Sequence, residues 1–142
     1  MLKKLFLISN RDSLILIFLH VQKLSAMKII SLDKVESNKV QMEGAKGAWK
    51  QLPLGVNDGT PVYSFRVFTV EPGGNTPYHS HAFEHMNYVI EGKAVLIDES
   101  GNKNLLKEGD FALVKPGEKH QYRNESPDQK FRMICGVPKE YE

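Results

Sequence analysis

Four histidines in the second half of the chain have a spacing that suits metal binding. His79 and His81 are separated by one residue, His85 follows after three more, and His120 lies further along the chain. On a β-strand, side chains alternate between the two faces, so the first two imidazoles project from the same side. The segment between His81 and His85 can bend, which lets the third ring turn back toward the pair. These four residues are therefore the predicted ligands of one metal ion.

The chemistry of such a site follows from its ligands. Four neutral imidazoles leave a divalent ion with its full charge, and imidazole suits Mn, Fe, Co, Ni, Cu and Zn, so ligand type does not select the metal. An octahedral ion would keep two open positions for water, O2 or a bidentate oxygen ligand. The ion would polarise a bound oxygen group and lower the pKa of bound water. The single cysteine, Cys135, excludes a thiolate cluster and is expected to be a small buried residue.

Four further residues are candidates around the metal. Tyr122 shares a strand face with His120 by alternation and could offer its hydroxyl to a substrate. Arg66 lies mid-strand, either on the outer face, which is the favoured expectation, or inside as an anchor for an anionic ligand. Glu84 and Asn124 are candidates to support the ligands by hydrogen bonding, although a solvated loop carboxylate is the simpler interpretation of Glu84. No acid or base stands out, so the catalytic residues stay unknown.

The elements that must position these residues are short β-strands. From Met27 onward, runs rich in Val, Ile, Phe, Tyr and Thr alternate with clusters of Gly, Pro, Asn and Asp, which is typical of an all-β domain. The clusters predict tight turns, among them Pro72–Asn75. Strands joined in this way bury their apolar faces by closing into a barrel or a two-sheet jelly roll. The predicted strands are 40–42, 63–70, 76–81, 85–90, 93–98, 103–106, 111–114, 120–124 and 131–137.

Two motifs in this region resemble those of the cupin superfamily. The first cupin motif is a glycine, five residues, His-x-His, three or four residues, a glutamate, six residues and a glycine. The second is a glycine, five residues, Pro-x-Gly, two residues, a histidine, three residues and an asparagine. The matching positions are Gly73, His79, His81 and Gly92 in the first motif and Gly109, Gly117, His120 and Asn124 in the second. Two positions depart from the pattern: His85 replaces the glutamate, and the proline is displaced by one place to Pro116.

The resemblance carries several implications. It implies a cupin-type double-stranded β-helix, the jelly-roll barrel, in a small single-domain (type 2) cupin with a four-histidine metal site. Some relatives of this kind are labelled oxalate-decarboxylase-like. The resemblance also implies a homodimer, for which Trp49, Met86 and Tyr88 are candidate core or subunit contacts.

Length and charge limit the domain count and the partners. A chain of 142 residues suits one domain, predicted at 27–142 after an N-terminal extension at 1–26. The extension has apolar runs that resemble a secretory signal, but Asn10–Asp12 interrupts them and neither run is long enough to span a membrane. A biological start at Met27 or a disordered extension is favoured, which predicts a cytoplasmic protein. The net charge of +2 without a basic stripe argues against nucleic acid as a partner.

Two classes of function compete at this stage. The leading hypothesis is a metal-dependent enzyme, a dioxygenase or a decarboxylase-like cupin, that acts on a small carboxylate or oxygen-rich compound. The alternative is a non-catalytic module that binds a sugar or a small acid. Both predict a small-molecule ligand, with neither nucleic acid nor a membrane as partner. The fold cannot choose between them, because one barrel hosts many activities.

Overall fold

The computed structural model describes residues 27–142. The predicted extension at 1–26 lies outside these residues. The strands are β1 (Asn38–Lys39), β2 (Lys46–Leu54), β3 (Tyr63–Asn75), β4 (His85–Glu91), β5 (Lys93–Ile97), β6 (Lys103–Lys107), β7 (Phe111–Val114), β8 (Gln121–Arg123) and β9 (Phe131–Pro138). Short 3-10 turns occur at Leu32–Lys34, Val56–Asp58 and Lys139–Tyr141. Within the described range, no helix is both long and apolar enough to cross a membrane.

All strands pair antiparallel in one curled sheet. The hydrogen-bonded order is β6-β5-β8-β3-β9-β4-β7, and β2 and β1 continue from β3 on a side branch. The long strand β3 lies centrally, in register with β9 from Tyr63 opposite Pro138 to Val70 opposite Phe131. This curled all-β sheet has the form of a cupin jelly roll, so the predicted fold class is confirmed.

An apolar core is enclosed by the curled sheet. Burial of a large apolar side chain contributes roughly 1.5–3 kcal/mol to stability, so a cluster of seven buried residues, all but one of them large, holds the strands together. Its members are Val70, Val89, Ala94, Leu106, Tyr122, Phe131 and Met133. The tight turn between β4 and β5 depends on Gly92, which has a φ of +76° and lies so close to β9 that an added Cβ would be 2.1 Å from the Lys130 carbonyl oxygen.

Strand β2 is an element that the sequence pattern does not predict. Its segment contains Gly47 and Pro53, and both residue types are unfavourable inside a paired strand. The structure accommodates Pro53 in a register shift against β3, between Gln51 and Leu54. On its other side β2 pairs only with the two residues of β1, so most of its length lies at a sheet edge, where proline is tolerated.

The predicted turn at Pro72–Asn75 is wrong, because β3 continues through it to Asn75. The segment bulges instead of reversing: the register with β2 shifts between Lys46 and Ala48. Gly74 makes the close approach feasible, since a Cβ there would lie 2.6 Å from the Lys46 carbonyl oxygen.

The predicted strand at 76–81 is also wrong. This segment has no regular ladder and meets the rest of the sheet through an isolated antiparallel bridge between His79 and His120. Pro77 has no N–H to donate, which removes a ladder hydrogen bond near the start of the segment. The first two candidate ligands therefore lie on an irregular segment that is tied to the start of β8.

Candidate metal centre

Three of the predicted ligands converge. The ligand atoms of His79, His81 and His120 all lie within 4.8 Å of one another. The backbone N–H groups of His79 and His120 donate to each other's carbonyl oxygens at 3.1 and 2.9 Å. This reciprocal pair brings ligands from two distant parts of the chain to a common point.

Hydrogen bonds to the backbone orient all three rings in the same way. The Nδ1 atoms of His79, His81 and His120 lie 3.1, 2.6 and 2.9 Å from carbonyl oxygens, those of Pro77, Phe83 and Glu118. A carbonyl oxygen only accepts, so each Nδ1 carries the hydrogen and each Nε2 keeps its lone pair. Such partners fix the tautomer of metal-binding histidines. The Nε2 of His81 is buried without a partner, which is what a vacant ligand atom should show.

The fourth predicted ligand, His85, is close to the other three but faces a different group. Its ring centroid lies 4.1 Å from that of His81 and 5.3 Å from that of His120. Its Nε2, however, lies 3.2 Å from Nη2 of Arg66. A guanidinium only donates, so this Nε2 is the acceptor. The structure thus assembles a three-histidine site with a fourth imidazole beside it.

Arg66 points into the barrel, so the favoured expectation of an outer-face position is wrong. Arg66 is 7% exposed. It lies opposite Cys135 in the register of β3 and β9, and its Nη2 donates to the Cys135 Sγ at 3.2 Å. Hydropathy misled the prediction, because along β3 the polar Ser64 and Arg66 face inward while the apolar Phe65 lies on the exposed face. Cys135 is fully buried as expected, and burial raises the pKa of its thiol.

Burial favours the neutral form of three of the imidazoles. Desolvation lowers the pKa of His120 to about 4 and also lowers that of His81. Desolvation, with the nearby positive charge of Arg66 as a second cause, lowers the pKa of His85 to about 2. Neutral rings are the form that binds a metal ion, so these residues stay competent as ligands at neutral pH.

Tyr122 faces the inside of the barrel beside the histidines, as alternation predicts. It is buried, and its hydroxyl oxygen accepts a hydrogen bond of 2.6 Å from Nδ2 of Asn87. Since Asn87 is the donor, the phenol keeps its own hydrogen for a ligand. Desolvation raises the pKa of Tyr122, so the hydroxyl remains protonated.

The two residues proposed as hydrogen-bonding supports have other partners. Glu84 is the acceptor for the hydroxyl of Tyr63 at 3.0 Å, while the imidazoles use backbone carbonyls instead. Asn124 is buried, and its Nδ2 donates to the carbonyl oxygens of Val70 and Gln129 at 3.0 and 2.8 Å. Asn124 therefore joins the end of β8 to β3 and to the loop before β9, which is a structural role.

The three histidines open into a cavity of about 440 Å3. Much of its wall is aromatic or apolar, and several of these residues carry no sequence signal that marks them as part of a site. They come from five separate segments of the chain and meet only in the folded barrel. The lining residues that the sequence analysis does not single out for this role include Lys50, Phe68, Phe83, Met133, Tyr141 and Glu142.

The donor set fits a divalent transition ion. Three neutral imidazole nitrogens that share one orientation suit Zn, Cu, Fe, Ni or Mn, and three protein ligands leave open positions for a substrate oxygen. The aromatic walls can exclude water from those positions. The residues present could therefore hold such an ion and a small organic ligand side by side.

Comparison with known proteins identifies the family to which this chain belongs. The sequence profile described as Cupin domain matches residues 66–137, a range that includes His79, His81, His85 and His120. Two relatives from Diaporthe leptostromiformis, phomopsin biosynthesis cluster proteins C' and D, are each 35% identical over 69 residues, which cover 49% of this chain. The match spans 36% of the length of each of these relatives.

Solved structures share the fold. The polyketide cyclase RemF from Streptomyces resistomycificus superposes with a TM-score of 0.75 at 29% identity, covering 79% of each chain. A predicted oxalate decarboxylase from Thermotoga maritima has a TM-score of 0.68 at 19% identity, covering 78% of this chain and 98% of that one. A sugar phosphate isomerase from Silicibacter pomeroyi has a TM-score of 0.65 at 22% identity, covering 78% and 75%. The latter two similarities concern the fold alone.

Proposed function

Since this chain belongs to the cupin domain family, we propose that it is a metal-dependent enzyme that acts on a small carboxylate or oxygen-rich compound. The observation that carries the proposal is the convergence of three oriented imidazoles at the wall of a largely apolar cavity. A bound divalent ion would supply Lewis-acid polarisation of a substrate oxygen. An oxygenase or a decarboxylase-like activity is the leading reaction class.

The surrounding residues have defined tasks in this proposal. His79, His81 and His120 hold the ion, and His85 is a candidate fourth ligand. The aromatic rings of Phe68 and Phe83 would hold the apolar body of a substrate and exclude water. The hydroxyl of Tyr122 would donate a hydrogen bond to a substrate oxygen, since Asn87 occupies its acceptor side.

The similarity to a polyketide cyclase supports the substrate class. That neighbour is named for an activity on polyketides, which are oxygen-rich compounds, and it matches this chain at 29% identity over most of both chains. A cavity of about 440 Å3 with aromatic walls suits such a compound better than it suits a very small polar acid.

Metal analysis tests the site directly. Protein purified without a chelator is expected to carry about one divalent transition ion per chain, and His79→Ala or His120→Ala should lose it. Ser80→Ala, between two of the ligands in sequence, is the matched control and should retain the ion. A wild-type protein that binds none of Zn, Cu, Fe, Ni and Mn would overturn the proposal.

A broad assay then separates the reaction classes. Oxygen consumption indicates an oxygenase, and release of CO2 indicates a decarboxylase. Substrate loss with neither oxygen consumption nor CO2 release indicates a rearrangement or cyclisation. The metal-loaded protein should transform at least one member of a panel of carboxylates, enols and polyketone compounds, and the His120→Ala variant should transform none.

A non-catalytic binding module is the second candidate, and one observation favours it. The carboxylate that lines the cavity, Glu142, accepts hydrogen bonds from the Ser64 hydroxyl and the Val56 N–H at Oε2, so one of its two oxygens already has a structural role. Ligand-induced thermal stabilisation that follows mass action, with no product formed by the metal-loaded protein, would identify a binding module.

A further inference from the structure

The guanidinium of Arg66 is a buried cation whose hydrogen-bond acceptors are all neutral. Its Nη atoms bond to three acceptors, each 3.2 Å away: the Tyr141 carbonyl oxygen, the Cys135 Sγ and His85 Nε2. The ring of Phe68 lies 5.1 Å from its central carbon. In the described part of the chain it forms no ion pair, and its Nε–H is buried without a partner. An unpaired buried charge is unfavourable, so an anion that enters the cavity would find a strong partner here.

The remaining charges of the cavity favour the same kind of ligand. Among the described residues that line it, the charged side chains are Lys50, Arg66 and Glu142, which leaves one net positive charge. Glu142 is held by Ser64 and Val56. A divalent ion on neutral imidazoles would add two more positive charges. The aromatic walls in turn favour a ligand whose anionic group is carried on an apolar body.

The contact between Arg66 and His85 connects anion binding to the metal. A neutral imidazole has one lone pair, and that of His85 is occupied by Nη2 of Arg66. While this contact holds, His85 cannot bind an ion through Nε2, although its ring is 4.1 Å from that of His81. A carboxylate that takes the Nη2 donor would release this lone pair beside the three other imidazoles.

We propose that Arg66 recognises a carboxylate on an apolar substrate and thereby frees His85 to become the fourth metal ligand. The proposal rests on the proposed metal site and specifies its substrate class and its regulation. Arg66 is a positioning and specificity residue in this scheme, because it reaches the metal only through His85. Coupling between two binding events is reciprocal, so the carboxylate tightens metal binding by the same factor as the metal tightens carboxylate binding.

Calorimetric titration of Zn2+ into the metal-free full chain measures this coupling. Benzoate is the anionic probe, and benzyl alcohol is its neutral control of similar shape. Saturating benzoate should lower the Zn2+ dissociation constant by at least about fivefold, the lower end of typical coupling between sites. Benzyl alcohol should leave the constant unchanged. With Co2+ in place of Zn2+, benzoate should also change the visible absorption spectrum, which reports a change in coordination.

Two variants assign the effect to the pair. Arg66→Gln should bind Zn2+ more tightly than wild type without benzoate, because His85 is already free, and benzoate should have no further effect. His85→Gln should match wild-type Zn2+ affinity without benzoate and should also lose the benzoate effect.

The control variant is Arg132→Gln. It removes an arginine whose partners are Thr69 and Glu91, and it should behave as wild type. If Arg66→Gln does not fold, Arg66→Lys, which keeps the charge without the planar fork, should show a weaker benzoate effect.

The outcomes separate this inference from the metal site itself. A benzoate effect that persists in Arg66→Gln, an equal effect of benzyl alcohol, or no effect of benzoate on Zn2+ affinity would each overturn the coupling. Failure of the wild-type protein to bind either Zn2+ or Co2+ would overturn the coupling, and failure to bind Mn, Fe, Ni or Cu as well would overturn the metal site. In that case, thermal stabilisation of the metal-free protein by benzoate, lost in Arg66→Gln, would still identify Arg66 as the anion-binding residue.

Discussion

The imidazole of His81 is stacked on the phenyl ring of Phe83, with the ring centroids 4.0 Å apart and the planes 9° apart. The ring of Phe83 also stacks on Tyr141, again at 4.0 Å. In addition, the backbone carbonyl of Phe83 accepts the hydrogen bond from Nδ1 of His81. One residue therefore sets both the tilt and the tautomer of a candidate ligand without touching the ion.

Removal of this ring should weaken the metal site. Phe83→Ala keeps the backbone carbonyl and removes the stack, so the imidazole of His81 loses part of its orientation. We expect metal affinity to fall about tenfold, at the lower end of the range for groups that orient a ligand. Zn2+ titration measures the change, and Phe111→Ala, at an exposed aromatic residue, is the matched control. Equal affinities for the two variants would contradict the assigned role.

The stability of the metal-free protein should depend on pH through its buried histidines. The folded-state pKa values of His81, His85 and His120 lie below the unfolded value of about 6.5, so the folded protein binds fewer protons. The contribution of these histidines to the free energy of unfolding should therefore be greatest above about pH 6.5 and should fall as the pH drops toward 4. Each pKa unit of difference corresponds to about 1.4 kcal/mol.

Urea unfolding of chelator-treated protein at about pH 7, 6 and 5 measures this dependence. His85→Gln removes one of the titrating groups, so its unfolding free energy should fall less steeply over the same range. An identical slope in the variant and the wild type would show that His85 does not contribute.

The hydrogen bond between Asn87 and Tyr122 offers a test of the buried polar interior. Tyr122→Phe leaves the Nδ2 group of Asn87 buried without its acceptor, so the free energy of unfolding should fall by about 1–3 kcal/mol. The double variant Asn87→Leu/Tyr122→Phe removes both partners and should recover part of that loss. Denaturant unfolding measures both effects. A double variant that loses more unfolding free energy than the two single variants lose together would contradict this interpretation.

The homodimer remains a prediction, and an exposed apolar face of the sheet is where we expect it to form. Met86 lies opposite Leu113 and Tyr88 opposite Phe111 across β4 and β7, and Phe111 is 80% exposed. This patch carries no charge that would repel a second copy placed on it by two-fold symmetry.

Charge substitution in the patch tests this expectation. Phe111→Lys/Leu113→Lys should yield monomers in sedimentation velocity, while Leu105→Lys, an exposed leucine on β6, should leave the oligomeric state of the wild type unchanged. A wild-type monomer, or a dimer that survives the double substitution, would exclude this face.

Local sequence rules determined much of the fold and part of the site. The strand pattern predicted most of the strands that carry the cavity, because period-two alternation and Gly-Pro turns are local properties. The motif spacing likewise identified His79, His81 and His120, which do converge. The sequence did not predict strand β2, because Gly47 and Pro53 are unfavourable in a strand and only pairing in the folded sheet compensates for that cost.

The tertiary structure alone decided what lies beside the three ligands. Alternation defines two faces of a strand, but only the curling of the whole sheet decides which face is inside, and it buries Arg66 together with Cys135. The orientation of His85 depends in turn on that guanidinium, which comes from a different strand, 19 residues earlier in the sequence. The spacing of the ligands is a local property that the sequence shows directly. The competition between Arg66 and a metal ion for the lone pair of His85 Nε2 arises only where separate strands meet inside the barrel.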